Sequence, residues 1–194
     1  MSEYIVIRDS RLNGNLPGSF VRWWHDLNVI TTSASSSLRA VFNGVTEVHR
    51  RKGRIHTIFL LCHGFAGSSP NRRMSGDLGG QGLQLAREGV LHGNVVDWTQ
   101  IQNKAANIVV YACAASNTES GNEFTTEDGR YLMGALAIHT NANVYAGDRI
   151  QWYSPSTFDF GRWEGNLLKF SPSGTAPVRV SRAPVEFNQL NSLI

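Results

Sequence analysis

Apolar runs of strand length alternate with helical periodicity along this chain. The strand-like runs are apolar at successive positions and rich in Val, Ile and Leu, a pattern typical of strands that are covered on both faces. Short polar or glycine-containing segments end each run. The predicted strands are YIVI (4–7), LNVITT (27–32), HTIFLLC (56–62), NIVVYAC (107–113) and NVYAGD (143–148).

Helical periodicity separates these runs. The segment 35–50 begins with serines that can cap a helix and then repeats apolar residues at helical spacing. A second helix carries apolar residues and a histidine on one face. The predicted apolar faces are Leu38, Val41, Phe42, Val45 and Val48 in the first helix, and Leu132, Ala135, Leu136 and His139 in the second. Further helices are predicted near SFVRWWHD (19–26) and over VDWTQIQNKA (96–105), and a hairpin over 76–95.

Strands that alternate with crossover helices indicate an α/β fold, with a mostly parallel central sheet between helices on both faces. We therefore predict an α/β/α sandwich over residues 1–155. Residues 156–194 are expected to form a C-terminal β-hairpin and tail that pack on the same domain. The pattern behind this hairpin is an alternation of aromatic and turn residues at Trp152, Phe158, Phe160 and Trp163.

Composition excludes several classes of function. The chain of 194 residues has 18 Lys and Arg against 15 Asp and Glu, and the basic run HRRKGR (49–54) has no interleaved aromatic residues. We therefore expect no nucleic-acid partner. The amino terminus resembles neither a signal peptide nor a membrane span, which predicts a cytoplasmic protein. Neither the two cysteines nor the histidines have the spacing of metal ligands, so we expect no metal and no cofactor.

Chemically active side chains follow three of the predicted strands. His63 follows one strand, Cys113 closes the next, and Asp148 closes the one after. In an open α/β sheet, ligands and chemistry are found outside the carboxyl ends of the strands. We therefore expect these three residues to meet at one edge of the sheet.

A thiol beside an imidazole is a plausible nucleophile. The ordinary pKa of a cysteine thiol is about 8.5, so a neighbouring histidine is needed to take its proton at neutral pH. Attack on an acyl carbon also needs donors for the developing oxyanion. Gly64 has no side chain to obstruct its N–H, and the N–H of Cys113 can act as a second donor. Cys62 alternates with His63 and is expected to point into the core.

The segments FLLCHG (59–64) and VVYACAAS (109–116) resemble the His-Gly and Ala-Cys strand ends of the caspase-like cysteine peptidases (clan CD), and the chain is similar to their bacterial caspase-like and CHAT-type domains. The separation of His63 and Cys113, 113 − 63 = 50 residues, agrees with the caspase spacing of about 50. The resemblance implies a caspase-like sandwich, a protein or peptide substrate, His63 as general base and Cys113 as nucleophile. It also implies an oxyanion hole formed by Gly64 and Cys113.

The segment Tyr111–Ala115 departs from the family pattern. Caspases have Gln-Ala-Cys-Xaa-Gly around the nucleophile, and relatives specific for Arg or Lys carry Asp two residues before it, where this chain has Tyr111. Neither specificity follows from the motif. Asp148 and Arg149 are the candidate substrate-binding residues after the next strand. A carboxylate from Asp148 would select a basic residue, and Arg149 would select an acidic one.

Two other functions remain open. One is a catalytically silent caspase-like domain that binds a protein partner, since a silent homologue can retain both motif residues. The other is an α/β-hydrolase-like esterase. That class needs a Gly-Xaa-Ser-Xaa-Gly elbow, which is missing, and a histidine after the nucleophile, for which His139 is the candidate.

Overall fold

A seven-stranded, mostly parallel sheet forms the centre of the molecule. The structure, a computed structural model, describes residues 3–14, 27–65, 79–157 and 159–191, so the helix predicted near 19–26 lies outside the described residues. The described strands are β1 (Tyr4–Asp9), β2 (Leu27–Thr32), β3 (Ile55–Leu61), β4 (His63–Gly64), β5 (Leu83–Gln84), β6 (Ala105–Tyr111), β7 (Asn143–Gly147), β8 (Leu167–Phe170) and β9 (Val178–Val180).

The order of strands across the main sheet is β2-β1-β3-β6-β7-β8-β9, and β4 and β5 form a separate antiparallel pair. Neighbouring strands from β2 to β7 are parallel, whereas β8 and β9 pair antiparallel at the edge next to β7. The prediction of an α/β fold with a mostly parallel sheet is confirmed. The antiparallel β8–β9 hairpin lies within the segment 156–194, but its strands begin at Leu167, so the aromatic residues Trp152, Phe160 and Trp163 lie before it and Phe158 lies outside the described residues.

The described α-helices are α1 (Leu38–Lys52) and α2 (Gly129–Thr140). The Ser37 side chain caps α1 by accepting a hydrogen bond from the Ala40 N–H at 3.2 Å. The apolar face predicted for α1 is buried throughout. The helix predicted over 96–105 is shorter and tighter, a 3-10 helix at Val95–Ile101. Its buried residues Val95, Trp98 and Ile101 recur every three positions, which matches three residues per turn.

Two apolar clusters lie on opposite faces of the sheet. Successive strand residues alternate between them, so Ile5 and Ile7 belong to one cluster and Val6 to the other. Both α1 and α2 contribute to the first cluster. Within the described residues, the second cluster is covered by the C-terminal segment, including the 3-10 helix Phe187–Asn191. The residues from that segment are Phe160, Ala183, Val185, Phe187 and Leu190.

The topology determines where the predicted site residues lie. Strands β3, β6 and β7 are adjacent and parallel, so their carboxyl ends meet at one edge of the sheet. His63 follows β3, Cys113 follows β6 and Asp148 follows β7 directly at this edge. Among the helices of the described ranges, none combines the length and the apolar character needed to cross a bilayer.

Candidate active site

His63 is oriented by a main-chain carbonyl from the loop after β1. The histidine opens β4, where it pairs with Gln84 on β5. Its Nε2 atom lies 3.2 Å from the carbonyl oxygen of Arg11. A carbonyl can only accept, so Nε2 must carry the hydrogen, and in the neutral ring Nδ1 keeps its lone pair. The contact therefore selects the tautomer in which Nδ1 can act as a base.

The loop that supplies this carbonyl is held by a buried carboxylate, Asp9. Asp9 Oδ1 accepts from the main-chain N–H of Arg11 at 3.0 Å and from its Nε at 2.7 Å. Asp9 Oδ2 accepts from Arg11 Nη2 at 2.7 Å and from the Ala86 N–H at 2.9 Å. Burial alone would raise the pKa of Asp9, but these hydrogen bonds and the charge of Arg11 outweigh it and lower the pKa. Sequence reasoning missed this ion pair, because nothing in the local pattern marks it.

Cys113 lies in a tight turn that is tied to the end of β7. Ala114 has a φ of 48° and donates its N–H to the Arg149 carbonyl at 2.7 Å. The N–H of Ser116 reaches the Gly147 carbonyl at 3.1 Å. The Cys113 thiol is half-buried, with Sγ 3.8 Å from the carbonyl oxygen of Gln151. The main chain on both sides of the nucleophile candidate is therefore fixed.

Gly64 and Cys113 approach each other through their main chains. A Cβ atom built on Gly64 would lie 2.0 Å from the Cys113 carbonyl oxygen, far inside van der Waals contact. Only glycine fits at this position without a backbone shift. The glycine of the His-Gly motif is therefore required because any side chain would clash with the main chain of Cys113.

Two main-chain N–H groups near the thiol are available as donors. Phe65 donates its N–H to Gly82 at 2.9 Å, and successive N–H groups of an antiparallel ladder alternate in direction, so the Gly64 N–H faces away from β5. The Cys113 N–H donates to no other residue in the part of the chain that the structure describes. Within the described residues, neither N–H group therefore has an acceptor.

His63 and Cys113 line one small cavity. Its volume is about 10 Å³, close to that of a single water-sized probe. Gln151 forms part of its wall and is buried, with Nε2 donating to the Phe160 carbonyl at 2.7 Å. The other lining residues are Leu12, Cys62, Tyr111, Ala112, Tyr153 and Phe160. The described structure thus brings the two predicted catalytic side chains to the same narrow cleft.

Cys62 is separated from solvent, as its alternation with His63 predicts. Its residue is 2% exposed and belongs to the first apolar cluster. Burial, and after it the charge of Asp9, raises the pKa of the Cys62 thiol. The two cysteines are therefore chemically different, and Cys62 stays in its protonated form.

Asp148 and Arg149 occupy the same edge of the sheet but differ in burial. The Asp148 carboxylate is buried and accepts from the Asn166 N–H at 2.8 Å and from Asn166 Nδ2 at 2.8 Å. The Arg149 side chain is exposed. A basic substrate side chain would have to share the Asp148 carboxylate with Asn166. Substrate selection by either residue stays a prediction.

Tyr111, two residues before Cys113, is part of a buried polar contact that sequence reasoning missed. Its hydroxyl donates to Glu186 Oε2 at 2.6 Å and accepts from the Phe187 N–H at 3.0 Å. Trp163 stacks on the Tyr111 ring with centroids 4.6 Å apart and donates from Nε1 to the same Glu186 oxygen at 2.9 Å. Burial, then the charge and hydrogen bond of Glu186, raises the pKa of Tyr111.

The glycine-rich segment before β5 packs against the turn of the nucleophile candidate. A Cβ atom on Gly79 would lie 2.3 Å from the Ala114 Cβ, and one on Gly80 would lie 2.3 Å from the Asn117 carbonyl oxygen. Gly80 also has a φ of +90°. These glycines therefore permit close main-chain packing beside Cys113.

No group of three or more His, Cys, Asp or Glu side chains in the described ranges is arranged to hold a metal ion.

Comparison of the chain with protein-family models and with curated proteins finds no match.

Proposed function

We propose that this chain is a cysteine endopeptidase of the caspase-like type, with His63 and Cys113 as its catalytic residues. The observation that carries the proposal is the cavity that both side chains line, at the carboxyl ends of the neighbouring parallel strands β3 and β6. A general base and a nucleophile must share a cleft that a carbonyl carbon can enter.

The arrangement of the sheet supports the caspase-like assignment. The His-Gly segment follows β3 and the Ala-Cys segment follows β6, its neighbour in the sheet, although 50 residues separate them (113 − 63 = 50). An antiparallel hairpin, β8 and β9, extends the sheet beyond β7. A three-layer caspase-like sandwich is compatible with this order of strands.

The reaction begins with removal of the thiol proton. His63 takes the proton of Cys113 on Nδ1, while its Nε2–H stays bonded to the Arg11 carbonyl. The thiolate sulfur attacks the scissile carbonyl carbon, and the C=O π electrons move to oxygen. The imidazolium then gives its proton to the leaving amine as the C–N bond breaks. Water, deprotonated by His63, hydrolyses the resulting thioester and restores the thiol.

The oxyanion of each tetrahedral intermediate would accept hydrogen bonds from the N–H groups of Gly64 and Cys113. Donors that are already oriented cost no reorganisation during the reaction, and one such donor is worth about 10²–10³ in kcat. A reducing compartment such as the cytoplasm suits this chemistry, because the nucleophile must remain a thiol.

A specific observation favours a second candidate function, a catalytically silent domain that binds a protein partner. The cavity at the thiol is about 10 Å³, and the carbonyl oxygen of Gln151 lies 3.8 Å from Sγ. A cavity of this size cannot hold a scissile peptide bond unless it widens. A domain whose cavity never widens would keep both motif residues and have no turnover.

Digestion of a peptide library separates the two functions. We expect wild-type protein to cleave a subset of peptides, and Cys113→Ala, His63→Ala and the double variant each to lose at least about 10³-fold in kcat, because removing either residue disables the same step. His49→Gln, a change in the last turn of α1, is the matched control and should retain full activity. Turnover by Cys113→Ala at the wild-type rate would end the proposal. No cleavage by the wild-type protein would favour the silent domain.

The same digest tests the candidate residues for substrate selection. If Asp148 selects a basic residue at the cleavage site, Asp148→Ala should lose that preference, and the corresponding loss of an acidic preference in Arg149→Ala would assign the role to Arg149. A cleavage profile unchanged in both variants would remove both residues from the substrate site.

A further inference from the structure

A wide groove opens beside the edge of the sheet, separate from the small cavity at Cys113. Its volume is about 650 Å³, within the range of about 300–1,000 Å³ that is usual for ligand sites. The groove lies between the loop 161–165 and the segment 179–188. We call it the arginine groove, and its walls and floor include Arg162, Trp163, Leu167, Arg179, Val180 and Asn188.

The arginine groove lies at the same edge of the sheet as the proposed catalytic residues. Leu167 pairs with Gly147 at the carboxyl end of β7, and Val180 pairs with Leu167 in turn. Trp163, which lines the groove, stacks on Tyr111, two residues before Cys113. A peptide bound in the groove can therefore extend towards the thiol.

Two positive charges line this groove, and neither forms an ion pair in the described ranges. Arg162 and Arg179 are exposed, and within the described ranges neither guanidinium has an ion pair or a hydrogen bond. The carboxylate among the lining residues, Glu186, is already bonded to the Tyr111 hydroxyl, Trp163 Nε1 and the Ala183 N–H. The groove therefore presents two unpaired guanidinium groups beside the apolar side chains of Trp163, Leu167 and Val180, while the Glu186 carboxylate is occupied by other donors.

We propose that the arginine groove binds an acidic segment of a peptide, with carboxylate side chains paired to Arg162 and Arg179. Guanidinium groups bind carboxylates through paired hydrogen bonds, and the apolar floor at Trp163, Leu167 and Val180 can cover the stems of neighbouring residues. Recognition of such a peptide as a substrate rests on the proposed peptidase function. Binding itself does not.

The shape of the site favours a peptide over a small anion. The groove is several times larger than a phosphate group needs, and its cations stand on different segments, the loop 161–165 and the strand β9. β9 is also the last strand of the sheet in the described ranges, so an extended chain can lie alongside it.

Calorimetric titration tests binding without any turnover. The protein is the Cys113→Ala variant, and the probes are a capped hexapeptide of alanine with two glutamates and the same peptide with two glutamines. We expect the glutamate peptide to bind at least tenfold tighter, and Arg162→Ala and Arg179→Ala each to weaken it at least about fivefold. Arg130→Ala, which removes an exposed arginine of α2, is the charge-matched control and should leave the affinity unchanged.

Charge reversal provides a second measurement. The double variant Arg162→Glu/Arg179→Glu should prefer a lysine hexapeptide over the glutamate one. Equal binding of the glutamate and glutamine peptides, or equal weakening by Arg130→Ala and Arg162→Ala, would overturn the proposal. Inorganic phosphate that binds as tightly as the glutamate peptide would also overturn it, in favour of a simple anion site.

Cleavage assays keep this inference separate from the proposed function. If the protein binds the acidic peptide through Arg162 and Arg179 but cleaves no peptide, the proposed binding in the arginine groove is supported and the proposed peptidase function is refuted. If the protein cleaves acidic peptides and neither Arg162→Ala nor Arg179→Ala changes the KM, the peptidase function is supported and acidic-peptide binding in the arginine groove is refuted.

Discussion

The Nε2 atom of His63 lies 3.2 Å from the main-chain oxygen of Arg11, and this contact links the histidine to a buried ion pair. Arg11 is held by Asp9, whose two carboxylate oxygens accept three hydrogen bonds from it. Asp9 touches neither His63 nor Cys113 in any of these bonds. It acts as a positioning residue, because it fixes the carbonyl that orients the imidazole.

The first prediction concerns the substitution Asp9→Asn. An amide cannot neutralise Arg11, and one of its NH₂ hydrogens would face an existing donor. We expect the free energy of unfolding to fall by about 1–3 kcal/mol, the usual cost of leaving a buried hydrogen-bonding group unpaired, because Arg11 is only partly buried. Chemical denaturation measures this loss. Asp97→Asn, an exposed position, is the control and should change the free energy by less than about 0.5 kcal/mol.

The same pair predicts how stability depends on pH. The pKa of Asp9 is lower in the folded protein than its ordinary value near 3.8, so its contribution is complete above that value and is lost as the pH falls through the folded pKa. The difference in Tm between wild type and Asp9→Asn should therefore narrow as the pH falls below about 3.8. A difference that stays constant through this pH range would show that the pKa of Asp9 is the same in the folded and unfolded states, which would contradict the prediction.

The second prediction is that the two thiols differ in reactivity. Cys62 is buried and its pKa is raised by burial, whereas Cys113 is half-buried beside His63. Iodoacetamide at neutral pH should label Cys113 at least tenfold faster, as measured by mass spectrometry of digested protein. In Cys113→Ala, labelling of Cys62 should require denaturant. Equal rates for the two cysteines in the folded wild type would count against the proposed nucleophile.

The third prediction concerns Gly64→Ala. The new methyl group would lie 2.0 Å from the Cys113 carbonyl oxygen, so one of the two main chains must move. A displacement of about 1 Å at a catalytic centre costs about 100-fold in rate, and we expect at least that loss in kcat/KM. Gly93→Ala is a matched control, because a Cβ atom at Gly93 meets nothing within 4 Å. Full activity in Gly64→Ala would remove Gly64 from the site.

The fourth prediction concerns the hydroxyl of Tyr111. Tyr111→Phe leaves the Phe187 N–H without its acceptor and removes a donor from Glu186. The free energy of unfolding should fall by about 1–3 kcal/mol, the cost of leaving buried polar groups unpaired. Tyr131→Phe, which removes a hydroxyl from an exposed tyrosine, should have no measurable effect. Thermal denaturation of both variants compares them directly, and equal stability would show that the Tyr111 hydroxyl contributes nothing.

The hydrophobic pattern was sufficient to predict the five parallel strands β1, β2, β3, β6 and β7. Runs such as 56–62 and 107–113 are mostly apolar, with Thr57 and Asn107 as buried polar exceptions, and β3 and β6 fall within two residues of them. The same pattern located His63, Cys113 and Asp148 at one edge, because the carboxyl ends of parallel strands coincide. The face of α1 followed from its spacing in the same way.

The partners of the site residues were not predictable in this way. The hydrogen-bonded pairs lie far apart in the sequence. There are 77 positions between Asp9 and Ala86, 75 between Tyr111 and Glu186, and 52 between His63 and Arg11. Hydrogen bonds of this kind depend on which loops meet in space, and periodicity reports only local conformation. The bond between Asp148 and Asn166 has the same origin, since it depends on the antiparallel return of β8.

The contact between Tyr111 and the segment at Glu186 and Phe187 has a consequence for the order of synthesis. On the ribosome, His63 and Cys113 are both exposed to the cell before residue 186 has been made, so the strand that leads to Cys113 initially lacks the cover that Phe187 provides. The nascent chain therefore contains His63 and Cys113 before it contains Glu186 and Phe187, which hold Tyr111. The surroundings of the strand that leads to Cys113 are complete only once residues 186 and 187 have been made.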